Sequence, residues 1–508
     1  MKRLIALCMA LLILTPLAVA CGKGDSEATT TTGAGTAEVT NTTGGAQEEV
    51  TTSGYNVADH LPTDLNFGGR TISILSRGRS WCVDEVTVDG LTGDLVNDAI
   101  YDRNLAVSER LNVKIENQLT SGKDNYEITE TIRRQVQAGS KEYDLFVNSV
   151  YSTIMYTGDN LFQNMSDLTY LDLEMPYWSQ GFNEAASIGG AQYFATGAIV
   201  LSSYRFVFAT FFNKNIFDDN KIPYLYDVVN EGKWTIDYQR ELSSNIYNDL
   251  NGNGVRDEND RYGFMGNHDM IGVDAYWSSC KLPILVKDSD DYLVFAPDNE
   301  RLSRAVDKIN QLFWNNDGVY RVVHGTSDTE QDTIATLFSQ DKAAMTTLRL
   351  IAVESADMRD MKSLYGIVPM PKLDEEQENY GSYAHDSMSA YGIPLTTIDE
   401  NLDQVGAFME AMASESYRKV MPAYYELALK TRYVSDEESV KMLDLVMDSF
   451  YVDPGVLYTK KISSFHQKMR TWIGNNQNTV ASMVKASKKA IDNQVAKLNE
   501  SIEKLREQ

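Results

Sequence analysis

The residues best spaced for metal chemistry run from Asp249 to Asp260 (DLNGNGVRDEND). Oxygen-bearing side chains fall at positions 1, 3, 5, 9 and 12 of this twelve-residue loop: Asp249, Asn251, Asn253, Asp257 and Asp260. Gly254 stands at position 6, where a sharp turn is needed, and Val255 offers its carbonyl at position 7. Calcium takes six to eight hard oxygen ligands, so the pattern points to a calcium loop, with Asp260 in place of the bidentate Glu of the EF-hand spacing. A merely polar Asn/Gly turn is the alternative, and five correctly spaced ligands favour calcium over it. A sensor needs a paired loop and a helix pair that opens; one loop predicts a structural site. Other chemistry is sparse. The five His make no HExxH, the four Cys (8, 21, 82 and 280) make no CxxC, and neither GxSxG nor a kinase signature occurs. A glycoside hydrolase would need two carboxylates facing across a cleft, and no pair stands out.

The elements that must carry any site come next. Thr71–Leu75, Asn112–Ile115 and Asp144–Val147 read as strands, and Asp94–Leu111 and Tyr126–Val136 as helices between them. On the first helix Leu95, Ala99, Ile100, Leu105 and Leu111 are available for one apolar face. Strand and helix in alternation predict a parallel sheet with helices on its faces, and ligands sit at the C-terminal ends of such strands. Those ends hold Arg77, Arg79 and Trp81 after the first strand, and Asn148, Ser149 and Tyr151 after the third. A second set follows, with strands from Phe206 to Phe212, from Lys342 to Thr347 and from Tyr365 to Pro369. From about Asn401 the pattern is helical. Ile491, Val495, Leu498, Ile502 and Leu505 predict a last helix packed on the core, because two heptads are too few for a coiled coil.

At the N-terminus Lys2 and Arg3 precede an apolar run from Leu4 to Leu14 and the small residues Ala18-Val19-Ala20. This is the layout of an export signal over residues 1–20. Leu17-Ala18-Val19-Ala20-Cys21 resembles a bacterial lipobox, with Ala18 in the place usually held by Leu. The resemblance implies diacylation of Cys21, and two chains anchor stably where one does not. Residues 21–54 then read as the lipidated Cys and a disordered Gly/Thr/Ser/Ala/Glu tether, with a coil span of roughly 30 Å. No later run is long and apolar enough to cross a bilayer. With 46 Lys and Arg against 72 Asp and Glu, the formal charge is −26, which argues against nucleic acid and against lying on an anionic membrane.

Several segments resemble, in order, the bacterial extracellular solute-binding proteins of family 1, the carbohydrate receptors of ABC importers. Phe211-Phe212-Asn213-Lys214-Asn215-Ile216-Phe217 is similar to the family's YNK-x-LF, with Phe212 for Tyr. Gly232-Lys233-Trp234-Thr235 matches its TW helix start. Asp341-Lys342-Ala343-Ala344-Met345 resembles GKAAM, with Asp341 for Gly. Gly366-Ile367-Val368-Pro369-Met370-Pro371 resembles its G-x-x-P-x-P crossing. The resemblance implies an α/β, two-lobed periplasmic-binding-protein-like fold with a hinge, an interlobe cleft and a helical C-terminal part. Residues 55–205 would open lobe 1, 206–380 lobe 2, and 381–508 would be helical return segments shared by both. It implies no catalysis. The expected activity is that of an anchored receptor on the extracellular face of the cell membrane. It would be a monomer that closes on a sugar or oligosaccharide and hands it to permease subunits. The alternatives are a secreted carbohydrate-active enzyme and a receptor of the same fold for a peptide or other solute. The expected ligand-binding residues are Arg79, Trp81, Ser149, Tyr151, Tyr204, Trp277, Arg349, His385 and Asp386, with Arg205 and Tyr383 beside them. Trp178, Trp234, Trp314 and Trp472 sit in helix-like patterns and are expected in the core. Cys82 and Cys280 fall in opposite lobes, where a bridge would hinder closure, so both are expected free.

Overall fold

The computed structural model describes residues 55–507 apart from 125, 270, 323–326 and 431–436. The export signal, Cys21 and the tether lie outside the described residues. The strands in chain order are β1 (Arg70–Ser76), β2 (Val113–Leu119), β3 (Leu145–Ser149), β4 (Phe194–Ala195), β5 (Phe208–Asn213), β6 (Tyr247–Asn248), β7 (Arg261–Asn267), β8 (Leu285–Lys287), β9 (Leu293–Phe295), β10 (Val319–Val322), β11 (Ala343–Arg349), β12 (Tyr365–Val368) and β13 (Ser389–Gly392). They form one sheet of order β2-β1-β3-β13-β4, a second of order β10-β7-β11-β5-β12 with β6 on β7, and the hairpin β8-β9. Each large sheet is the centre of a lobe.

In the first lobe β1 runs parallel to β2 and β3. A parallel sheet covered on both faces needs apolar runs rather than alternation, and all of Leu145–Ser149 is buried. The helix Leu95–Leu111 starts at Asp94, whose carboxylate accepts the amides of Val96 and Asn97 at 3.1 and 3.0 Å. It stops at Asn112, which takes the left-handed conformation (φ 50°). Its buried side is Val96, Ile100, Arg103, Val107 and Leu111. Leu95 and Leu105, expected inward, are exposed. The helical spacing admits two neighbouring faces, and the one carrying Arg103 packs inward because that guanidinium finds the carbonyls of Glu85 and Val86 and the hydroxyl of Ser416.

In the second lobe the family-like segments each do a local job. Asn213 ends β5 and caps the helix Lys214–Asp219, accepting the Ile216 amide at 3.0 Å. Thr235 caps the helix Ile236–Ser244, and the indole of the buried Trp234 donates to the Pro369 carbonyl at 2.8 Å. Asp341 stands where the family pattern has Gly and has φ 61°. Asp tolerates that conformation better than most residues, and its carboxylate takes the Asn213 amide at 2.6 Å. The strand expected from Phe206 begins at Phe208, because Ser202–Arg205 is a short helix.

The chain leaves the first sheet after β4, enters the second at β5, and returns between β12 and β13. The two crossing segments are joined to each other. Val207 bridges Ala384, Phe208 N donates to Tyr383 O, and His385 N donates to Phe206 O. The helical C-terminal part is divided: Glu400–Glu415 packs on Leu95–Leu111, while Glu437–Asp448 packs against β12. The last helix, Val480–Arg506, buries Ile491, Val495, Leu498 and Ile502 as expected and lies on β9. Trp178, Trp234 and Trp472 are core residues, and Trp314 is half-buried. Cys82 and Cys280 are buried free thiols, both pushed up to about 12 by burial. No helix among the described residues is long and apolar enough to cross a membrane.

Candidate functional site

The return crossing brings the main constellation together. His385 and Asp386 lie on it, immediately before β13. The Tyr151 amide, just past the C-terminal end of β3, donates to the Asp386 carbonyl at 2.9 Å. His385 Nδ1 accepts the Ser387 amide at 3.2 Å, so the proton of the neutral ring sits on Nε2, 3.5 Å from Asp386 Oδ1. Burial pushes the His385 imidazole below its ordinary value, against the pull of Asp386. Arg349, at the end of β11, is buried with its guanidinium carbon 5.2 Å from the Phe206 ring centroid, and its charge acts on His385. Lys460 places its ammonium 4.6 Å from the Tyr151 ring centroid. The bond to Tyr151 holds Lys460 above its ordinary value.

Behind this group stands a buried ion pair that sequence reasoning missed. Arg470 Nε lies 3.0 Å from both oxygens of Asp274, and its Nη2 closes a second bond to Oδ2. His466 Nε2 lies 3.6 Å from the same Oδ2. Burial alone would raise the Asp274 carboxyl, but His466 and Arg470 outweigh it and hold the group below the usual carboxylate range. Both Asp386 and Asp274 act on Arg470 and on Tyr383, whose phenol is far above its ordinary value mainly through burial. One signal of this pair was legible: Asp274 is the only charged residue in the otherwise uncharged helix Ile271–Ser279 (IGVDAYWSS), and a lone charge there needs a buried partner. Arg470, Lys460 and His466 carry no comparable mark, since they come from short C-terminal segments, none longer than seven residues, that pack on parts of the chain distant in sequence.

Other expected residues go elsewhere. Trp277 is wholly buried, packs on Phe465 and donates its indole N–H to the His466 carbonyl at 2.9 Å, so it is a core residue that holds the His466 turn. Ser149 caps the short helix Val150–Thr153 and bonds the Ser152 hydroxyl at 2.7 Å. Tyr204 lines a small apolar cavity with Leu350, Val353, Tyr424 and Tyr425. Arg205 is taken by Glu354 at 2.8 Å and Asp84 at 3.5 Å. Arg79 lies over Trp81, 5.6 Å from its ring centroid. It is Arg77, two residues earlier, that reaches the return crossing, donating to Ser387 O at 2.8 Å and Ser389 Oγ at 2.7 Å.

The loop 249–260 is a compact set of turns. Asp249 accepts the amides of Gly252 and Gly254 at 2.7 and 2.8 Å, and Asp257 that of Asn259 at 2.8 Å. These amides hold both carboxyls below their ordinary value. Asn251 and Asn253 accept the amides two residues on. Asp260 is buried and takes the Tyr247 hydroxyl at 2.9 Å. The donor types and their order suit a hard cation. Among the described residues, however, no three His, Cys, Asp or Glu side chains converge on one position, so a cation would have to draw Asp249, Asp257 and Asp260 toward itself.

No family model matches the sequence, and no curated protein matches it. Solved structures do. UspC of M. tuberculosis aligns at TM-score 0.54 and 12% identity over 84% of this chain and 100% of that one. A cyclo/maltodextrin-binding protein complexed with maltotetraose aligns at 0.51 and 11%, over 85% and 97%. The fold is that of the two-lobed solute-binding proteins. The ABC transporter associated binding protein from B. animalis subsp. lactis Bl-04, in complex with beta-1,6-galactobiose, aligns at 0.51 and 14%, over 85% and 98%. In this two-lobed fold the His385–Asp386 crossing, the β3 end with Tyr151 and the Asp274–Arg470 pair are contributed by separate parts of the chain to one constellation.

Proposed function

We propose that this chain is a receptor that captures a sugar or oligosaccharide between its lobes and delivers it unaltered to the permease of an ABC importer. The observation that carries the reading is Asp386. Its carboxylate lies on a crossing segment whose backbone is bonded to Tyr151, is partly exposed, and acts on the Lys460 and Arg470 charges. A carboxylate, fixed cations and tyrosine faces match the hydroxyl edges and apolar faces of a saccharide. Two of the similar structures hold maltotetraose and beta-1,6-galactobiose. The N-terminal pattern supports an acyl anchor at Cys21 that keeps the receptor on the outer face of the membrane.

Thermal unfolding with maltotetraose, with beta-1,6-galactobiose and with short peptides tests this. A saccharide should raise Tm, and the sugar should be recovered intact. Release of smaller sugars would make the chain an enzyme, and a rise with peptides alone would replace the ligand class. The loop 249–260 is proposed to bind one structural calcium through Asp249, Asn251, Asn253, the Val255 carbonyl, Asp257 and Asp260. Calcium should then raise Tm where magnesium does not, because the larger ion accepts irregular oxygen shells. Asp257→Asn should abolish that difference.

A further inference from the structure

The lobes touch at places that belong to none of the segments passing between the two sheets. The tip of the β8–β9 hairpin, Asp288–Tyr292, belongs to the second lobe. It is bolted there by Asn499 of the last helix, which accepts the Leu293 amide at 3.2 Å and donates to the Leu293 carbonyl at 2.8 Å. The turn Ser187–Gly190 belongs to the first lobe and leads into β4. Tip and turn meet through a set of fitted contacts. Asp291 Oδ2 accepts the Ser187 hydroxyl at 2.8 Å and the Gly190 amide at 3.0 Å, and the Asp291 carbonyl accepts the Gly189 amide at 2.9 Å. Lys287 holds the other carboxylate oxygen at 2.7 Å and so orients the group.

The backbone is shaped for this contact on both sides. Asp291 has φ 64°, and Gly189 and Gly190 have φ 56° and 77°. A Cβ on Gly189 would come within 2.8 Å of the Tyr292 ring, so the turn seats against the hairpin only because that residue has no side chain. Two further contacts join the same parts of the lobes. Lys461 reaches Asp159 at 3.3 Å, and the Tyr458 hydroxyl donates to the Ala186 carbonyl at 2.6 Å. A rotation about the crossing segments must pull all of these apart. Charge-assisted bonds to backbone amides are among the stronger single contacts, and each is shed to water when it breaks.

We infer that the β8–β9 tip is a clasp: Asp291, seated on the Ser187–Gly190 turn, holds the two lobes in the closed arrangement, and its release is the step that opens the cleft. The inference rests on the two-lobed fold and not on which solute is bound.

The test uses the full chain without ligand and a reporter distant in sequence from the clasp. A carbodiimide joins Lys461 to Asp159 only while the lobes are closed, and mass spectrometry counts that cross-link. Asp291→Ala removes both carboxylate bonds to the turn, should lower its yield at least about tenfold, and should enlarge the radius of gyration in solution scattering. Gly189→Val should do the same by wedging the turn off Tyr292. Ser187→Ala removes one bond of the set and should give a smaller drop in the same direction, which keeps the test open if a larger change impairs folding. Unchanged cross-linking and radius in these variants would overturn the clasp. A lower Tm with unchanged cross-linking would also overturn it, since it would mean local packing alone. Binding of maltotetraose by wild type is read separately and does not enter either outcome.

Discussion

Two ionic groups in this molecule are built from the same residue types and are used differently. At the hinge, Glu85 is 2% exposed, and both its oxygens are taken, by the Ser202 amide at 2.6 Å and the Ser389 hydroxyl at 2.5 Å. Arg77 shares that hydroxyl, and Arg103, 1% exposed, donates to the carbonyls of Glu85 and Val86. One carboxylate thereby grips both the outgoing segment at Ser202 and the returning one at Ser389. In the cleft, the Asp274–Arg470 pair is satisfied in the same way, yet Arg470 keeps 23% of its side chain exposed and the neighbouring Asp386 keeps 19%. Burial of charge is tolerated where every oxygen has a donor. On the function proposed above, a partly exposed carboxylate beside two cations is the group that meets the solute, and it differs from a strut in how many partners are already present.

Removing a strut should cost most. Glu85→Ala leaves the Ser202 amide and the Ser389 hydroxyl without their acceptor and the buried Arg103 without the negative charge that acts on it, and denaturant unfolding should show a loss of about 3–5 kcal/mol. Equal stability would erase the distinction between the two groups. A pH series sharpens it next. Burial pushes Glu410, bonded to Tyr177 and Trp178, from 4.5 up to about 7, and pushes Asp453, which caps the helix Pro454–Leu457, from 3.8 up to about 7. Both favour the protonated form in the folded state. Their stabilisation is complete below the unfolded value and is lost as pH rises through about 7. His385 has the opposite sign: its lowered value favours the neutral ring, so its contribution is lost as pH falls below the unfolded value. Glu410→Gln should remove Glu410's share of that loss between about pH 4.5 and 7, on the order of 3 kcal/mol, and leave the shares of Asp453 and His385 in place.

The cleft group should respond in binding more than in folding. Asp274→Asn weakens the hold on Arg470, and we expect a loss of about 1–3 kcal/mol in stability together with weaker saccharide binding. Asp386→Asn should change stability by less than about 0.5 kcal/mol while affinity measured by calorimetry falls about tenfold. If Asp386→Asn unfolded the protein as Glu85→Ala does, Asp386 would be a strut too.

Much of the architecture was readable along the chain. The strands at Thr71–Leu75 and Asp144–Val147 and the helix from Asp94 rest on local spacing and local hydrogen bonds, so local reading finds them, while the Trp234-Thr235 start was read from the resemblance. Tyr151, Arg349, His385 and Asp386 could be named in advance as candidates because strand ends and crossings can be located from the pattern of elements. Arg470, Lys460 and His466 could not, because short turns carry no periodicity. The inward face of Leu95–Leu111 was misassigned for a related reason: a buried Arg looks like a surface residue until its partners, one of them Ser416, are brought in from other elements. The sequence by itself determined the alternation of elements, the caps and the order of the segments, since these depend on neighbours within a few residues. Only the tertiary structure decided which charges are satisfied and which are left open, because a buried charge is priced by groups that can lie hundreds of positions away along the chain.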